Sequence, residues 1–404
     1  MLPFSSSPAL SSSQKLFPEV TSAGRRRFVA ACVLASLWPH SSAQVRAPIP
    51  GVTPGTLTLA HFGPLSGILA PANAEALSGA QYYFDALNQE GGVNGRRILL
   101  RIEDDKQDAK LNAEMVKKAI EDNSVFGLFM YRTTPAIEAV IPLITEASMP
   151  MLAPQVGPNS LYEPFNRNIF PIRARYRDEA IELLRHLNTI QTKRIGFVFA
   201  TDTFGKDVKV GVDGELQRLG LKPAFETPVD NRTPDVLPAI AAILESMPQA
   251  VVIITGFKPA SDIIKAVRAK GGKMQFFTLS NNSSDAFIKA LGNEPRNVGV
   301  TQVIPSPTSR GGRFGREYAA AVAKSNGKLA ISYAAAQGYL SAMIVSDGLR
   351  RAGRDLSRDS FSKSMESISK ADFLGYQIRY SADSHQGSRF TELTMIGRDG
   401  RFVR

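Results

Sequence analysis

The 404 residues contain a single cysteine, Cys32, so no intramolecular disulfide can form and the fold must be stable through its core alone. Histidine is nearly as scarce. Past residue 43 there are only His61, His186 and His385, and with no cysteine among them neither a Cys/His metal set nor a Cys–His catalytic pair can be assembled. His186 falls on a helical pattern and His385 in a polar stretch, and both read as surface histidines. No Gly-x-Ser-x-Gly elbow or Walker loop occurs. The cluster Gly91-Gly92-Val93-Asn94-Gly95 follows a helix and precedes a strand, the reverse of the order a phosphate cradle needs. Glu103-Asp104-Asp105 and Asp108 could suggest a metal site, but a strand end running into a helix N-terminus makes capping the expected use. These absences argue against an enzyme, and no cofactor or metal is expected.

No apolar run approaches the about 20 residues a membrane-spanning helix needs. The longest near the N-terminus, Val29 to Trp38, follows Arg25-Arg26-Arg27 and precedes Ser41-Ser42-Ala43, the layout of an export leader cleaved before Gln44. Arg-Arg-x-Phe also fits a twin-arginine signal. Val29-Ala30-Ala31-Cys32 looks like a lipobox, but it begins the apolar run where a lipobox should end one, so an unlipidated product is expected in the periplasm. The leader, residues 1–43, carries three of the eleven net positive charges, leaving +8 on the rest. Those charges are dispersed and lack interleaved aromatics, which fits solvated helix faces and disfavours a nucleic-acid partner. Residues 44–55 are Pro-rich and read as a linker.

From Thr56 the chain alternates strand and helix signals. Leu57–His61, Arg97–Glu103, Val125–Met130, Met151–Ala153, Arg194–Phe199, Ala250–Ile254 and Gln275–Leu279 read as strands, with helical patterns between them. Such alternation predicts α/β architecture with parallel sheets flanked by helices, and its length predicts two sheets. Three helices, about 312–323, 332–353 and 358–367, then follow without intervening strands, which places them back over the first sheet. A strand at Tyr376–Tyr380 and a hairpin at Asp399-Gly400 close the chain.

In open α/β sheets, ligands sit beyond the carboxyl ends of the strands. The loops there hold Ser66, then Tyr131, Arg132, Thr133 and Thr134, then Gln155, Val156 and Gly157. The second half offers Phe204, Phe257, Ser280 and Asn281. Hydroxyls and amides between aromatic walls suit a small polar or aromatic ligand, not acid–base catalysis.

The run Gly63-Pro64-Leu65-Ser66-Gly67, the later Gly91-Gly92-Val93-Asn94-Gly95-Arg96 with Asp104-Asp105, the pair Phe204-Gly205, and the tail from Gln386 to Gly400 resemble the Leu/Ile/Val-binding-type (type I periplasmic) solute-binding proteins of ABC transporters. The resemblance implies two α/β lobes joined by a three-strand hinge. Crossovers are expected near Arg173, Pro305 and Phe373, giving lobe 1 as 56–172 with 306–372 and lobe 2 as 173–305 with 373–404. It also implies a monomeric receptor that closes on one small-molecule ligand and presents it to a membrane permease. A sensory receptor of the same fold, signalling to a membrane partner, would share these features. By resemblance, Ser66, Thr134 and Gln155 to Gly157 line the first lobe, Phe204 and Phe257 the second, and Tyr176 sits at the first crossover. Two departures stand out: Ser280 falls where the family's amino-acid binders carry an acid, and Arg132-Thr133 falls where relatives carry small or apolar residues. Losing an anion and gaining a cation points to carboxylates without an α-ammonium, organic or aromatic acids first and branched-chain amino acids second.

Overall fold

The computed structural model describes residues 48–403 apart from Glu294. The leader, Cys32 and the cleavage position before Gln44 lie outside the described residues. The first sheet collects β1 (Thr56–Gly63), β2 (Arg97–Asp104), β3 (Gly127–Phe129), β4 (Met151–Leu152) and β5 (Ile169–Phe170) in the order β2-β1-β3-β4-β5, all parallel. Between them run α1 (Ala70–Gln89), α2 (Ala109–Glu121) and α3 (Thr134–Glu146).

The second sheet is built from β6 (Ile195–Ala200), β7 (Phe225–Val229), β8 (Ala250–Ile254), β9 (Gln275–Thr278) and β10 (Val298–Gln302), which run parallel. The helices α4 (Tyr176–Thr189), α5 (Thr203–Leu219), α6 (Leu237–Ser246), α7 (Phe257–Ala269) and α8 (Asp285–Leu291) accompany it. Every residue of β6 and of β8 is buried, as expected of central strands covered on both faces. Burying each phenylalanine of β6 contributes about 1.5–3 kcal/mol.

The three helices at the end of the chain are α9 (Arg313–Lys324), α10 (Tyr333–Ala352) and α11 (Arg358–Glu366), and they do cover the first sheet. The contact of α1 with α10 is unusually close. A Cβ on Gly79 would lie 1.8 Å from Ala335 O, and one on Gly338 would lie 1.9 Å from Ala76 O, so the backbones touch where any larger residue would separate them. This contact seats Ala76 and Gln337 at the wall of the site described below.

The last strands are β11 (Ala371–Phe373), β12 (Tyr376–Ser381), β13 (Ser384–Gly387), β14 (Glu392–Ile396) and β15 (Phe402–Val403). The first three form an antiparallel sheet packed into the first core through Phe373, Tyr376, Ile378 and Tyr380. Only β14 and β15 join the second sheet, β14 antiparallel to β10. The third crossover therefore lies at 388–391, not near Phe373: Tyr380 and His385 are tied to the end of β5, through Pro171 O at 2.9 Å and Ile169 O at 2.8 Å. His385 is accordingly buried, stacked on Phe170 at 4.2 Å, and not the surface histidine that its polar neighbours suggested. The linker reading also shortens, because Gly51 O accepts the Thr58 N–H at 2.8 Å and Val52 bridges Leu57, folding residues 51–55 onto β1.

The chain also passes between the cores at 171–175 and 303–308. The Tyr376 hydroxyl fastens both segments, lying 2.5 Å from Ile172 O and 2.9 Å from Val303 O and sharing its one proton between them.

Candidate functional site

The carboxyl ends of both sheets face one cavity of about 320 Å³. From the first sheet come Ile68 and Leu69 after β1, Gln107 after β2, Arg132 to Pro135 after β3, and Gln155 with Val156 after β4. From the second come Asp202 and Phe204 after β6, Asp230 to Arg232 after β7, Phe257 after β8, and Ser280 to Ser284 after β9. Ala334 and Gln337, one turn apart on α10, complete the wall. The two sides touch beside this lining: Glu75 of α1 accepts the Asp285 N–H at 3.1 and 3.2 Å, and Asp207 of α5 accepts the Asn159 N–H at 3.2 Å.

The loop after β3 is strained. Met130 has φ of 53° and Thr133 has φ of 71°, a region β-branched residues avoid. That turn points Arg132 into the cavity, where it donates to Gln155 Oε1 at 3.0 Å. Among the described residues no carboxylate lies within ion-pair distance of it. Burial draws its guanidinium below the usual range, Arg173 pushes the same way, and Tyr176 and Glu75 pull back.

The other central arginine is fully compensated. Arg173, 1% exposed, pairs with Glu179, which is wholly buried on α4. Its NH1 donates to Gln155 O at 2.6 Å, and its guanidinium stacks 4.5 Å over the Tyr176 ring. Glu179 also accepts the Ser280 N–H at 3.0 Å, the Ser280 hydroxyl at 2.9 Å and the Thr301 hydroxyl. An acid thus does stand beside Ser280, but it is committed to Arg173. Tyr176, pushed up to about 12 by burial, packs edge-on to Phe204 at 4.8 Å.

The cavity thus lies between two sheet ends, with polar and aromatic groups on both sides. The sequence matches the family model described as periplasmic binding protein over residues 56–401. The chain belongs to the periplasmic binding protein family. A curated Leu/Ile/Val-binding protein of Rhizobium johnstonii is 22% identical over 209 residues, 52% of this chain and 56% of that one, so the match spans little more than half of its length. A substrate-binding periplasmic protein from Ralstonia solanacearum superposes with a TM-score of 0.80 at 27% identity, covering 86% of this chain and 99% of that one. A fatty acid ABC transporter substrate-binding protein from Thermomonospora curvata superposes with a TM-score of 0.79 at 21% identity, covering 88% and 93%. The family and fold are those of substrate-binding proteins, not of enzymes.

Within this periplasmic binding protein, ten of the thirteen residues singled out from sequence line the cavity: Arg132, Thr133, Thr134, Gln155, Val156, Tyr176, Phe204, Phe257, Ser280 and Asn281. Three do not. Ser66 is exposed, its N–H bonded to Asp104 at 3.3 Å. Tyr131 is turned into the core behind the loop by the alternation of the chain. Gly157 belongs to the hinge: its carbonyl accepts the Tyr176 N–H at 2.8 Å, and a Cβ there would lie 2.7 Å from Ala174 O. The acidic cluster caps loops, as Asp104 accepts from Leu65 and Lys106 (both 2.9 Å) and Asp108 from Lys110 (2.8 Å). Sequence reasoning missed Glu179 and Gln337. Each was visible as a polar residue on an otherwise apolar helical stripe, Glu179 beside Tyr176, Ala180 and Leu183, and Gln337 between Ala334 and Leu340.

Proposed function

We propose that this chain is the periplasmic substrate-binding component of an ABC transporter and that its ligand is a small carboxylate: an organic or aromatic acid, or a branched-chain amino acid. On this reading the leader is cleaved before Gln44, and a monomer closes on one ligand and delivers it to a membrane permease. The observation that carries the ligand class is Arg132, which faces the cavity without a carboxylate partner while its neighbour Arg173 is paired. Thr134 stands beside it, and Ile68, Leu69, Phe204 and Phe257 supply apolar walls. The ligands named for the two relatives above, Leu/Ile/Val and a fatty acid, share a carboxylate on an apolar body, and that description suits these walls.

A thermal-shift screen of organic acids and amino acids supplies the ligand, since one present at 100 times its Kd raises stability by about 2.7 kcal/mol. Calorimetry on Arg132→Ala then tests the site. A buried charge pair truncated on one side costs about 2–5 kcal/mol, so affinity for the acid should fall at least about 30-fold. The melting temperature of the free protein should barely change. Binding within about threefold of wild type, under about 0.7 kcal/mol, would remove the support for a carboxylate ligand.

A further inference from the structure

Three side chains of the cavity wall each carry a buried polar atom without a hydrogen-bond partner in the protein: Thr134 Oγ1, Gln337 Nε2 and Asn281 Oδ1. Thr134 and Gln337 are 2% and 7% exposed. Native interiors hold few such atoms, because each costs about 1–3 kcal/mol. Thr134 adjoins Arg132, and the ligand's carboxylate accounts for it. A carboxylate can also take the Gln337 N–H, but it has nothing to give the Asn281 oxygen.

The Asn281 amide can sit only one way. Its Nδ2 donates to Thr255 O and to Asn282 Oδ1, both at 3.0 Å, which uses both N–H groups and leaves Oδ1 as the free edge. Asn282 is locked in turn by Thr255 O at 3.1 Å and Thr278 Oγ1 at 2.8 Å. A free carbonyl oxygen asks for a donor, and a carboxylate has none. An ammonium would want an anion close by, and the two carboxylates in the wall stand on other loops, each held by neutral N–H donors that leave its charge in place. Asp202 accepts from Gly205 N at 3.2 Å and Asn231 Nδ2 at 2.9 Å. Asp230 accepts from Arg232 N at 2.7 Å and Thr233 N at 2.8 Å, and Glu179 behind Ser280 is paired with Arg173.

Resting on the carboxylate reading, we propose that Asn281 and Gln337 recognise a second, uncharged polar group on the ligand, a hydroxyl or carboxamide that donates to Asn281 Oδ1 or accepts from Gln337 Nε2. The chain is then a receptor for hydroxy or amide acids, in preference to plain hydrocarbon acids and to α-amino acids.

The test is calorimetry of the exported protein with matched probes: benzoate, 3- and 4-hydroxybenzoate, 3-phenylpropionate and its 4-hydroxy derivative, isocaproate, 2-hydroxyisocaproate, isocaproamide derivatives bearing a carboxylate, and leucine. At least one hydroxy or amide acid should bind about tenfold or more tightly than its plain partner, the worth of one satisfied buried hydrogen bond. Gln337→Met, close in size and without the amide, should cut that preference to below about threefold. It should also raise the melting temperature of the free protein, because it removes an unsatisfied buried group, whereas an amide with a structural role would lower it. Plain and hydroxy or amide acids binding equally in the wild type would overturn the inference and leave the carboxylate reading standing. Leucine binding more tightly than 2-hydroxyisocaproate in the wild type would also overturn it. Binding of none of the acids would overturn both.

Discussion

Replacing Glu179 by glutamine, a single-atom change, should destabilise this protein measurably. The carboxylate is wholly buried and holds Arg173, the Ser280 N–H and hydroxyl, and the Thr301 hydroxyl, so it joins α4 to the turn at 280–282 and to β10. An amide is nearly the same shape but leaves the Arg173 charge uncompensated. Breaking a buried pair from one side costs about 3–5 kcal/mol. The lower end applies here, because Arg173 keeps Gln155 O at 2.6 Å, Ala174 O at 3.1 Å and the Tyr176 ring at 4.5 Å. A loss of about 3 kcal/mol should lower the melting temperature of a chain this long by about 4 °C. Urea unfolding followed by far-ultraviolet circular dichroism, with scanning calorimetry alongside, measures it. Arg173→Met with Glu179→Leu removes both charges and should recover part of the loss, since apolar replacement of a whole buried pair is often neutral. A Glu179→Gln midpoint within about 1 °C of wild type, or a double variant worse than the sum of the singles, would show that the pair is not the element holding these segments together.

Three further outcomes are expected. Ser280→Asp puts a second carboxylate where the Ser280 hydroxyl now lies 2.9 Å from Glu179, so it should lower stability near pH 8 and regain it as acidification protonates one of the two, without gain in amino-acid affinity; a tighter fit for leucine would contradict this. Thr133→Gly relieves a backbone held at φ of 71°, worth about 1–3 kcal/mol of strain against up to about 1 kcal/mol of added unfolded-state entropy, and should raise the unfolding midpoint; a lower midpoint would mean that the threonine side chain compensates its own strain. His61 is buried between Phe129 O at 3.2 Å and Asn73 Nδ2 at 3.1 Å, and burial lowers its pKa to about 4, so stability should be complete above pH 6.5 and fall by up to about 1.4 kcal/mol per unit below it, where only the unfolded chain takes up the proton. Buried His385 adds in the same direction, and His61→Gln should flatten the stability profile between pH 7 and 5; an unchanged slope would refute the assignment.

The two-sheet architecture was legible because β6 and β8 are uninterrupted apolar runs and because helical periodicity resumes between them. β7 was not, since Pro228 argues against a strand; it is tolerated because β7 is the outer strand of its sheet, where a ladder donor can be spared. The third crossover was misplaced for a different reason. β12 alternates buried and exposed residues equally well for either lobe, and only the long-range bonds of Tyr376, Tyr380 and His385 assign it to the first. In the site, residues adjacent to strand ends were readable from position along the chain. Gln337 was not, because it reaches the cavity through the backbone contact of two distant helices, and Ser280 was misread because its acid, Glu179, lies 101 residues away.

If the chain closes on its ligand as proposed, the contrast between the two arginines gives the ligand a way to drive it. Arg173 has its counter-ion within the protein, so its energy is little affected by whether the cavity is filled. Arg132 is drawn into the same low-dielectric region with the Gln155 amide as its hydrogen-bond partner, while Tyr176 and Glu75 favour its charge without an ion pair and Arg173 opposes it. Closing without a ligand would therefore desolvate a cation that no ion pair neutralises, which favours the open state. A carboxylate from the ligand removes that cost only when the second lobe seals the cavity, because in water the same pair is worth little. The ligand's affinity then differs between the two states, and that difference is what a population shift requires. If closing the lobes cost nothing extra for Arg132, Arg132→Ala would leave the free protein as extended as wild type. On the present argument the variant should be more compact than wild type in scattering without ligand, and respond less when acid is added.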